Sequence, residues 1–331
     1  MTIKKLTLLF FAIVSATIVR AGAVNQKVWD NPDTIFVSRD GTGHFRTIAE
    51  AIDVCRAFTD YHKVIFVKKG IYKEKLIVPS YLTNIEICGE DRDETIITYD
   101  DHANIIDMRI PNDHKIGTFG TFTLKIQAHD FLLKNITIEN NAAKLGQAVA
   151  LHTEGDRITF VNCRFLGNQD TVYTGVENTR LYFKDCYIEG TTDFIFGPSI
   201  AWFEGCIIKN KNNSYITAAS TPKDQKYGYI FNNCRLIADE GVDKCYLGRP
   251  WRENGYTLFM NCELGKHILP AGWNDWKKDH NKIRYMEYNN RGEGAATSGR
   301  ADWSRQLTKK EAQKITMEEV FTIGNVWKPS N

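Results

Sequence analysis

Two aspartates in the middle of the chain have the surroundings that acid–base chemistry requires. Asp170 directly follows an amide side chain, Gln169, and Asp193 opens the apolar run Asp193-Phe-Ile-Phe-Gly197. Charged side chains seldom lie among apolar residues unless they are paired. Two carboxyl groups in different environments can serve as proton donor and nucleophile, because their environments push the two pKa values apart. The two residues therefore indicate a catalytic carboxyl pair.

A repeated motif gives the spacing of the elements that must position these aspartates. The pattern Phe-x-x-Cys-x-apolar occurs five times, beginning at Phe160, Phe183, Phe203, Phe231 and Phe259. Each unit contains short β-rich runs separated by Gly, Asn and Asp. Repeats of this length and composition are typical of the coils of a parallel β-helix, in which like residues stack from coil to coil. We therefore expect an all-β solenoid with short terminal helices.

The repeat places the two aspartates at the same position of neighbouring coils. Asp170 and Asp193 are 23 residues apart, which is also the distance between the phenylalanines of their coils. Adjacent strands lie about 4.8 Å apart, so the two carboxyl groups should face each other. Counted back from the next phenylalanine, Arg249 shares the position of Asp193, and Gln147 shares that of Asp170. Together with Gln169, these side chains should form one site, to which Arg249 must reach across two coils, about 10 Å.

Several segments around these residues carry a family resemblance. Four of them resemble the signature segments of pectin methylesterases: Gln147-Ala-Val-Ala-Leu151, Gln169-Asp-Thr-Val-Tyr173, Asp193-Phe-Ile-Phe-Gly197 and Leu247-Gly-Arg-Pro-Trp251. Upstream, Gly70-Ile-Tyr-Lys-Glu74 and residues 37–52 resemble further family segments. The order of all segments agrees with the family. Departures are small: Val172 stands where Leu is usual, and Glu139-Asn-Asn-Ala142 replaces Glu-Asn-Thr-Ala.

The resemblance implies a right-handed parallel β-helix that removes methyl esters from C6 of galacturonate in pectin and releases methanol. In this interpretation Asp193 attacks the ester carbonyl to give an acyl-enzyme. Arg249 keeps Asp193 ionised, because an adjacent cation lowers the pKa of a carboxyl group. Asp170 begins protonated and donates its proton to the departing methanol, then takes one from water.

The remaining implied residues stabilise charge and bind sugar. The side-chain amides of Gln147 and Gln169 would hold the oxyanion. Trp251 and Tyr173 would present aromatic faces to the sugar rings. No cofactor and no metal is expected, since the sequence has no Cys-x-x-Cys and no histidines at ligand spacing.

Two other kinds of protein remain open. One is a catalytically inactive, pectin-binding β-helix protein, which would be expected to have lost an Asp or Gln of the site. The other is a pectin depolymerase on the same fold. A polygalacturonase would need a different acidic cluster, and a pectate lyase a calcium site of several carboxylates, which the sequence does not show near Asp170 and Asp193. A serine hydrolase is disfavoured because no Gly-x-Ser-x-Gly elbow occurs.

The N-terminal residues predict secretion. A basic start, an apolar run from Leu6 to Val19 and the segment Arg20-Ala-Gly-Ala23 are typical of a signal peptide, residues 1–23, and the run is too short to span a membrane. Its removal takes away three of 42 basic residues and none of 40 acidic ones, so the net charge falls from +2 to −1. We expect residues 24–331 to form a single, monomeric catalytic domain outside the cell, with no affinity for nucleic acid or membranes.

Cysteines and asparagines allow covalent modification of a secreted chain. Five of the eight cysteines share one repeat position, so disulfides between neighbouring coils and a column of free thiols are both possible. The pair Cys163–Cys186 is geometrically possible, and the family resemblance favours Cys206–Cys234. Asn135-Ile-Thr and Asn212-Asn-Ser are acceptor sequences for N-glycosylation.

Outside the motifs, we expect two helices with capping boxes, over residues 47–58 (Thr47 with Glu50) and 307–315 (Thr308 with Glu311). The first should cap the N-terminal end of the solenoid, hiding its sheet edge. Residues 102–129 could be a loop that offers aromatic residues to a sugar, although plain β-strand is favoured. His152 is interpreted as a rim residue. Three tryptophans could bind sugar, although packing beneath the terminal loops is favoured: Trp273, Trp276 and Trp303.

Overall fold

The computed structural model of the protein describes residues 33–322 and 324–329, which belong to one compact unit. The proposed signal peptide lies outside the described residues, so the division into a signal and one catalytic domain stays a prediction. No helix within the described ranges is long and apolar enough to cross a membrane.

Three parallel sheets, named A, B and C, make up the fold. Sheet A contains β1 (Thr34–Val37), β2 (Lys63–Val67), β5 (Ile85–Gly89), β8 (Phe131–Lys134), β11 (Ile158–Val161), β14 (Arg180–Lys184), β17 (Ile200–Glu204), β20 (Tyr229–Asn232), β23 (Tyr256–Met260), β25 (Arg284–Tyr288) and β26 (Arg305–Gln306). Sheet B contains β3 (Gly70–Lys73), β6 (Thr95–Tyr99), β9 (Thr137–Asn140), β12 (Arg164–Leu166), β15 (Tyr187–Gly190), β18 (Ile207–Asn210), β21 (Arg235–Ala238) and β24 (Glu263–Leu264). Sheet C contains β4 (Leu76–Val78), β7 (Leu124–Ile126), β10 (Leu151–Thr153), β13 (Val172–Thr174), β16 (Ile195–Gly197), β19 (Tyr215–Ala219) and β22 (Tyr246–Gly248).

Through the middle of the chain each coil contributes one strand to every sheet, and each strand pairs in parallel with its counterpart in the next coil. This is a parallel β-helix, as the repeat predicts. The five phenylalanines of the repeat are direct register partners, and their fully buried rings stack with centroids 4.3 to 4.6 Å apart. Stacking of identical side chains fills the interior, so the repeat spacing specifies the coils.

The cysteines of the repeat form a column of thiols beside this stack. All eight cysteines are free, so the disulfide predicted between Cys206 and Cys234 is wrong for this structure, and Cys163–Cys186 is not formed either. The thiols of Cys206 and Cys234 donate instead to the carbonyl oxygens of Phe183 and Phe203, at 3.5 and 3.4 Å. Residues stacked in parallel register keep their Cβ atoms about one strand spacing apart, roughly 4.8 Å, whereas a disulfide needs about 3.8 Å.

Helix α1 (Ile48–Asp53) lies at the N-terminal end of the solenoid. The capping box of Thr47 and Glu50 forms as predicted, and the helix buries Ile48 and Ala51 against β1, β2 and β4. It ends sooner than predicted, since Val54 is already its C-cap. A cap on this end of the stack hides sheet edges that would otherwise pair with other chains.

The C-terminal segment covers the outer face of sheet A. The predicted second capping box begins α2 (Lys309–Ala312), which α3 (Met317–Val320) follows. Val320 and Phe321 are buried in an apolar cluster with Trp202 and Leu258 of the sheet. Two short 3₁₀ helices complete the described structure, Thr118–Gly120 and Glu293–Ala295. Trp273 is buried in the core and Trp303 packs against it, as expected.

Candidate active site

The two aspartates occupy equivalent turns that lead into sheet C. Asp170 precedes β13 and Asp193 precedes β16, and the pairing of Val172 with Ile195 preserves their separation of 23 residues. The backbone N–H of Asp170 donates to the carbonyl of Thr192 at 3.1 Å. The structure thus brings the two residues to the same position of neighbouring coils, as predicted.

Both aspartates have left-handed backbone conformations, with φ of 67° for Asp170 and 49° for Asp193. Asp and Asn tolerate this region better than other side chains that carry a Cβ. Both residues are also buried, with 8% and 7% of their surface exposed. The turns therefore hold two carboxyl groups away from bulk water in a defined orientation.

Arg249 binds Asp193 through both ends of its guanidinium. Its Nε donates to Oδ1 at 2.9 Å and its Nη2 to Oδ2 at 2.7 Å. The backbone of Arg249 does not share the position of Asp193, however. Ile195 pairs with Thr217, and Thr217 with Gly248, so Arg249 follows a residue equivalent to Ile195. The predicted alignment is wrong because two residues connect β16 to sheet A, whereas seven connect β22 to it.

Two aromatic rings enclose this guanidinium. Its central carbon lies 4.0 Å from the ring centroid of Tyr215 and 3.8 Å from that of Trp276. Contacts of this kind add cation–π attraction and fix the plane of an arginine. The expectation that Trp276 packs beneath a terminal loop is therefore wrong: it is 37% exposed and lines the active-site cleft. The position of Trp276 agrees with the less favoured alternative, a tryptophan available to a sugar; its loop has no repeat spacing that could distinguish the two.

The pKa values of the two carboxyl groups are both raised, to different extents. Burial raises the pKa of Asp170 well above its usual value, and the nearby charge of Asp193 raises it further. Burial also raises the pKa of Asp193, but the hydrogen bonds and charge of Arg249 oppose this. Arg249 does lower the pKa of Asp193, as expected, but burial has the larger effect, so the pKa lies above its usual value. The site favours a proton on Asp170 and a charge on Asp193.

The two glutamines line the same cleft as the aspartates. The register of β10 with β13 pairs Leu151 with Val172, so the position of Asp170 corresponds to Val149 rather than to Gln147. The predicted alignment of Gln147 is wrong by two residues, yet its side chain still reaches the cleft. Within the described part of the chain, neither Gln147 nor Gln169 uses its side-chain amide in a hydrogen bond, so both donors remain for a ligand.

Aromatic side chains form one wall of the cleft, which has a volume of about 250 Å³. Phe119, Phe196 and Trp251 line the cleft, and the ring centroid of Trp251 lies 5.9 Å from that of Phe196. Tyr173 is not among the lining residues; its ring packs against those of Phe196 and Phe119, at 4.7 and 4.8 Å. Sequence reasoning identified Tyr173 and Trp251 but missed Phe196. Phe196 follows Tyr173 by 23 residues, the same repeat distance that relates the two aspartates, so the repeat could have identified it. It also missed the role of Tyr215.

The segment 102–129 is mostly irregular, which makes the favoured interpretation as plain β-strand wrong. Its regular parts are a 3₁₀ helix and the three residues of β7. Gly117 has a φ of 67° and precedes the 3₁₀ helix, in which Phe119 turns toward the cleft. The less favoured alternative, a loop that offers an aromatic residue to the cleft, agrees with the structure.

His152 lies behind the aromatic wall rather than at the rim. It is 3% exposed, its ring packs edge-on against Tyr173 at 4.8 Å, and its Nε2 lies 3.1 Å from Glu154. Burial, together with the charge of Lys125, lowers the pKa of His152 to about 4. The interpretation as a rim residue is wrong because His152 and Tyr173 are register partners, with Phe119 and Phe122 covering the histidine.

No group of three or more His, Cys, Asp or Glu side chains among the described residues is arranged to hold a metal ion. The cleft brings together two carboxyl groups, one arginine and two side-chain amides. This arrangement can supply a nucleophile, a proton donor and donors for an oxyanion.

Comparisons with known proteins agree with this arrangement. A family profile described as Pectinesterase matches residues 34–325. A curated relative from Brassica napus, "Probable pectinesterase/pectinesterase inhibitor", is 35% identical over 90% of this chain and 51% of its own length. The chain thus spans about half the length of this relative, whereas it covers 88% of "Pectinesterase 31" from Arabidopsis thaliana, at 37% identity over 83% of this chain.

Solved structures show the same fold. "Pectin methylesterase from Carrot" superimposes with a TM-score of 0.79 and 32% identity, covering 86% of this chain and 92% of the carrot chain. The profile match over most of the chain, together with these relatives, establishes that the chain belongs to the pectinesterase family.

Proposed function

We propose that the protein hydrolyses methyl esters at C6 of galacturonate units in pectin and releases methanol. The observation that carries this proposal is the buried Asp170 beside Asp193, whose two oxygens are held by Arg249. Membership of the pectinesterase family supports the substrate and the reaction. No cofactor enters the mechanism, and the expected partner is methyl-esterified pectin.

The first half of the reaction forms an acyl-enzyme. An ionised Oδ of Asp193 attacks the ester carbonyl carbon, and the carbonyl oxygen becomes an oxyanion. When the tetrahedral intermediate collapses, the bond between carbon and methoxy oxygen breaks. Asp170 donates its proton to that oxygen, so methanol leaves and an anhydride with Asp193 remains. Because the pKa of Asp170 is raised further than that of Asp193, Asp170 still carries a proton to donate at a pH where Asp193 is ionised.

The second half of the reaction regenerates both carboxyl groups. Asp170, now ionised, takes a proton from water, and the resulting hydroxide attacks the galacturonate carbonyl of the anhydride. The carboxylate of Asp193 leaves, the sugar keeps a free carboxyl group, and Asp170 is again protonated. Arg249 stabilises the departing carboxylate with its two N–H groups.

Amides and aromatic rings assist both halves. The free side-chain amides of Gln147 and Gln169 donate to the two successive oxyanions. Trp251 and Phe119, which line the cleft, contact the sugar rings, and Tyr173 packs against Phe119 next to this surface. Preformed donors of this kind lower the barrier because they require no reorganisation during the reaction.

The location of the protein follows from the same proposal. A pectin-degrading or pectin-modifying enzyme acts on cell walls, so we propose that it is secreted as a monomer after removal of residues 1–23. N-glycosylation at Asn135 and Asn212 stays a prediction.

Methanol release from highly methylated pectin tests the proposal, with the wild type compared with Asp193→Asn and Asp170→Asn. We expect release by the wild type and nearly none by either variant, while circular dichroism shows that all three are folded. New reducing ends or unsaturated uronides would instead show a depolymerase. Binding of pectin by the wild type without any product would show an inactive binding protein. Near wild-type turnover by Asp193→Asn would remove the nucleophile from the mechanism.

A further inference from the structure

One element of the aromatic wall is short and weakly held by its own hydrogen bonds. The 3₁₀ helix Thr118–Gly120 presents Phe119, which is 48% exposed and lines the cleft. The backbone hydrogen bonds that close it, from Gly120 to Gly117 and from Thr121 to Thr118, are both 3.2 Å long. Helices of this type have poor hydrogen-bond geometry, so the position of Phe119 depends on contacts with the rest of the chain.

Lys75 contacts the C-terminal end of this helix from the preceding coil. It directly precedes β4, and its ammonium group donates to the carbonyl oxygen of Gly120 at 2.5 Å. The last carbonyl groups of a helix have no partner within it, and a cation is favourable there. Lys75 therefore satisfies the backbone group that directly follows Phe119.

The same ammonium group has a second, charged partner. It forms an ion pair with the carboxylate of Asp101, near the start of the loop that leads to the helix. The side chains of Lys75 and Asp101 are only 28% and 21% exposed, so salt screens this pair less than a fully exposed one. Asp101 is itself fixed, because its carbonyl accepts from the buried Asn140 at 2.9 Å. Lys75 thus joins the beginning of the loop to the helix near its end.

Two aromatic rings add to these contacts. The Nζ of Lys75 lies 5.0 Å from the ring centroid of Phe122 and 5.7 Å from that of Tyr99. A cation within about 6 Å of a ring is attracted to it. Phe122 in turn packs edge-on against His152 at 6.0 Å, behind the aromatic wall. Lys75 is therefore connected to the wall through the backbone and through a ring.

We propose that Lys75 is a positioning residue for substrate binding, which holds the helix Thr118–Gly120 so that Phe119 stays against Tyr173, at 4.8 Å, and faces the sugar. The proposal rests on the proposed function, because the sugar is part of the pectin chain. Lys75 lies outside the lining of the cleft and does not touch the reacting groups. Its loss should weaken binding of the substrate and leave the chemical step intact.

Steady-state methanol release from methyl-esterified hexagalacturonate tests this role. Lys75→Met keeps the apolar length of the side chain and should raise KM about three- to tenfold, with kcat within about twofold of the wild type. Lys75→Gln, with the same expected direction, replaces it if Lys75→Met does not fold. Lys75→Arg should stay close to the wild type, because a guanidinium can donate to both partners.

A matched control is Lys73→Met. Lys73 pairs with Asp100 of the same loop at 2.9 Å and lies over the ring of Tyr99 at 6.0 Å, but its partner lies on the exposed surface. We expect its KM to be unchanged. A lysine that only stabilised the fold would instead lower Tm, or the active fraction, at an unchanged KM, and that result for Lys75→Met would overturn the proposal.

A double-mutant cycle shows whether the effect passes through Phe119. Phe119→Ala should raise KM by about tenfold, and Lys75→Met should then raise it little further; fully additive effects would overturn the proposal. Hydrogen exchange gives a readout without turnover, since the amides of residues 117–121 should exchange faster in Lys75→Met but not in Lys73→Met. Unchanged exchange in Lys75→Met would also overturn it. Failure of the wild type to release methanol would overturn the proposed function instead, whatever the exchange rates.

Discussion

Arg249 holds both carboxylate oxygens of Asp193 although its backbone lies two coils further along the solenoid. Its side chain returns along the solenoid axis between the rings of Tyr215 and Trp276. A planar guanidinium can stack on two rings and bind two oxygens at once, which an ammonium group cannot do. The orientation of the nucleophile thus depends on residues from three separate parts of the chain.

Replacement of this arginine should change the pH dependence of the reaction. In Arg249→Lys the paired hydrogen bonds are lost, so the pKa of Asp193 rises further because burial is opposed less. Since Asp193 must be ionised to attack, the acidic limb of the pH–rate profile should move to higher pH. We also expect kcat/KM to fall roughly ten- to hundredfold. Methanol release measured over a pH series checks this, with the exposed Arg291→Lys as control; an unshifted limb would contradict it.

The two glutamines should affect the rate more than binding. Gln147→Ala and Gln169→Ala each remove one donor to the oxyanion, which forms only during the reaction. We expect kcat to fall by about 10²–10³ for each, with little change in KM. Steady-state kinetics with methylated pectin, and Gln313→Ala as a surface control, provide the test. A fall in kcat of less than tenfold for both variants would exclude them as the oxyanion site.

Asp170 should destabilise the protein at neutral pH. Its folded-state pKa lies well above the usual value, so the folded protein binds more protons than the unfolded chain as pH rises above about 4. The contribution of this group to stability is therefore lost as pH increases through the folded-state pKa. Asp170→Asn removes the cost of keeping this group protonated at a pH where the unfolded chain releases the proton, so the variant should be more stable near pH 7 by ~1 kcal/mol, or about 2 °C in Tm.

The advantage of Asp170→Asn should disappear in acid, below the unfolded-state pKa. Asp193→Asn is the matched comparison and should not gain stability, because it leaves Arg249 without its carboxylate. Thermal unfolding at neutral and acidic pH measures both effects. A lower Tm of Asp170→Asn than of the wild type at neutral pH would show that a raised pKa of Asp170 does not destabilise the protein.

His152 should make the protein sensitive to acid. Its pKa of about 4 in the folded state lies below the unfolded value of 6.5, so the unfolded chain binds a proton first as pH falls. The contribution of His152 to the free energy of unfolding is fully present above pH 6.5. It decreases by up to ~3 kcal/mol as the pH falls from 6.5 to about 4. His152→Phe should flatten the decrease of Tm over this interval. Part of the slope will remain, since burial also lowers the pKa of His267 to about 4.

The fold and the aspartate pair could be predicted because both depend on contacts between neighbouring coils. Phe160 and Phe183 repeat at the distance that separates Asp170 from Asp193, because the chain from phenylalanine to aspartate has the same length in these two coils. Where two coils match in length in this way, counting residues from one phenylalanine to the next correctly gives which residues are register partners. Each coil packs mainly on its neighbours, so the same positions are buried in every coil and the repeat can be recognised in the sequence.

The remaining parts of the site depend on loops whose length varies. Arg249 and Gln147 were assigned positions by counting through connections that differ between coils, and both assignments were off by a few residues. Phe119 and Trp276 project from irregular loops with no period at all. The free thiols could not be foreseen either, because one repeat position is compatible with a disulfide or with a thiol column.

The order of strands in sheet C has a consequence for heat inactivation. Strands β13 and β16, which position the aspartates, each have at least two further strands on both sides, whereas β22, which precedes Arg249, is the last strand of the sheet. Solenoids fray from their ends because each coil is held only by its neighbours. Partial melting at the C-terminal edge would withdraw the counter-ion of Asp193 while the carboxyl pair is still in place. The protein would then lose its activity at a temperature at which most of its coils are still folded.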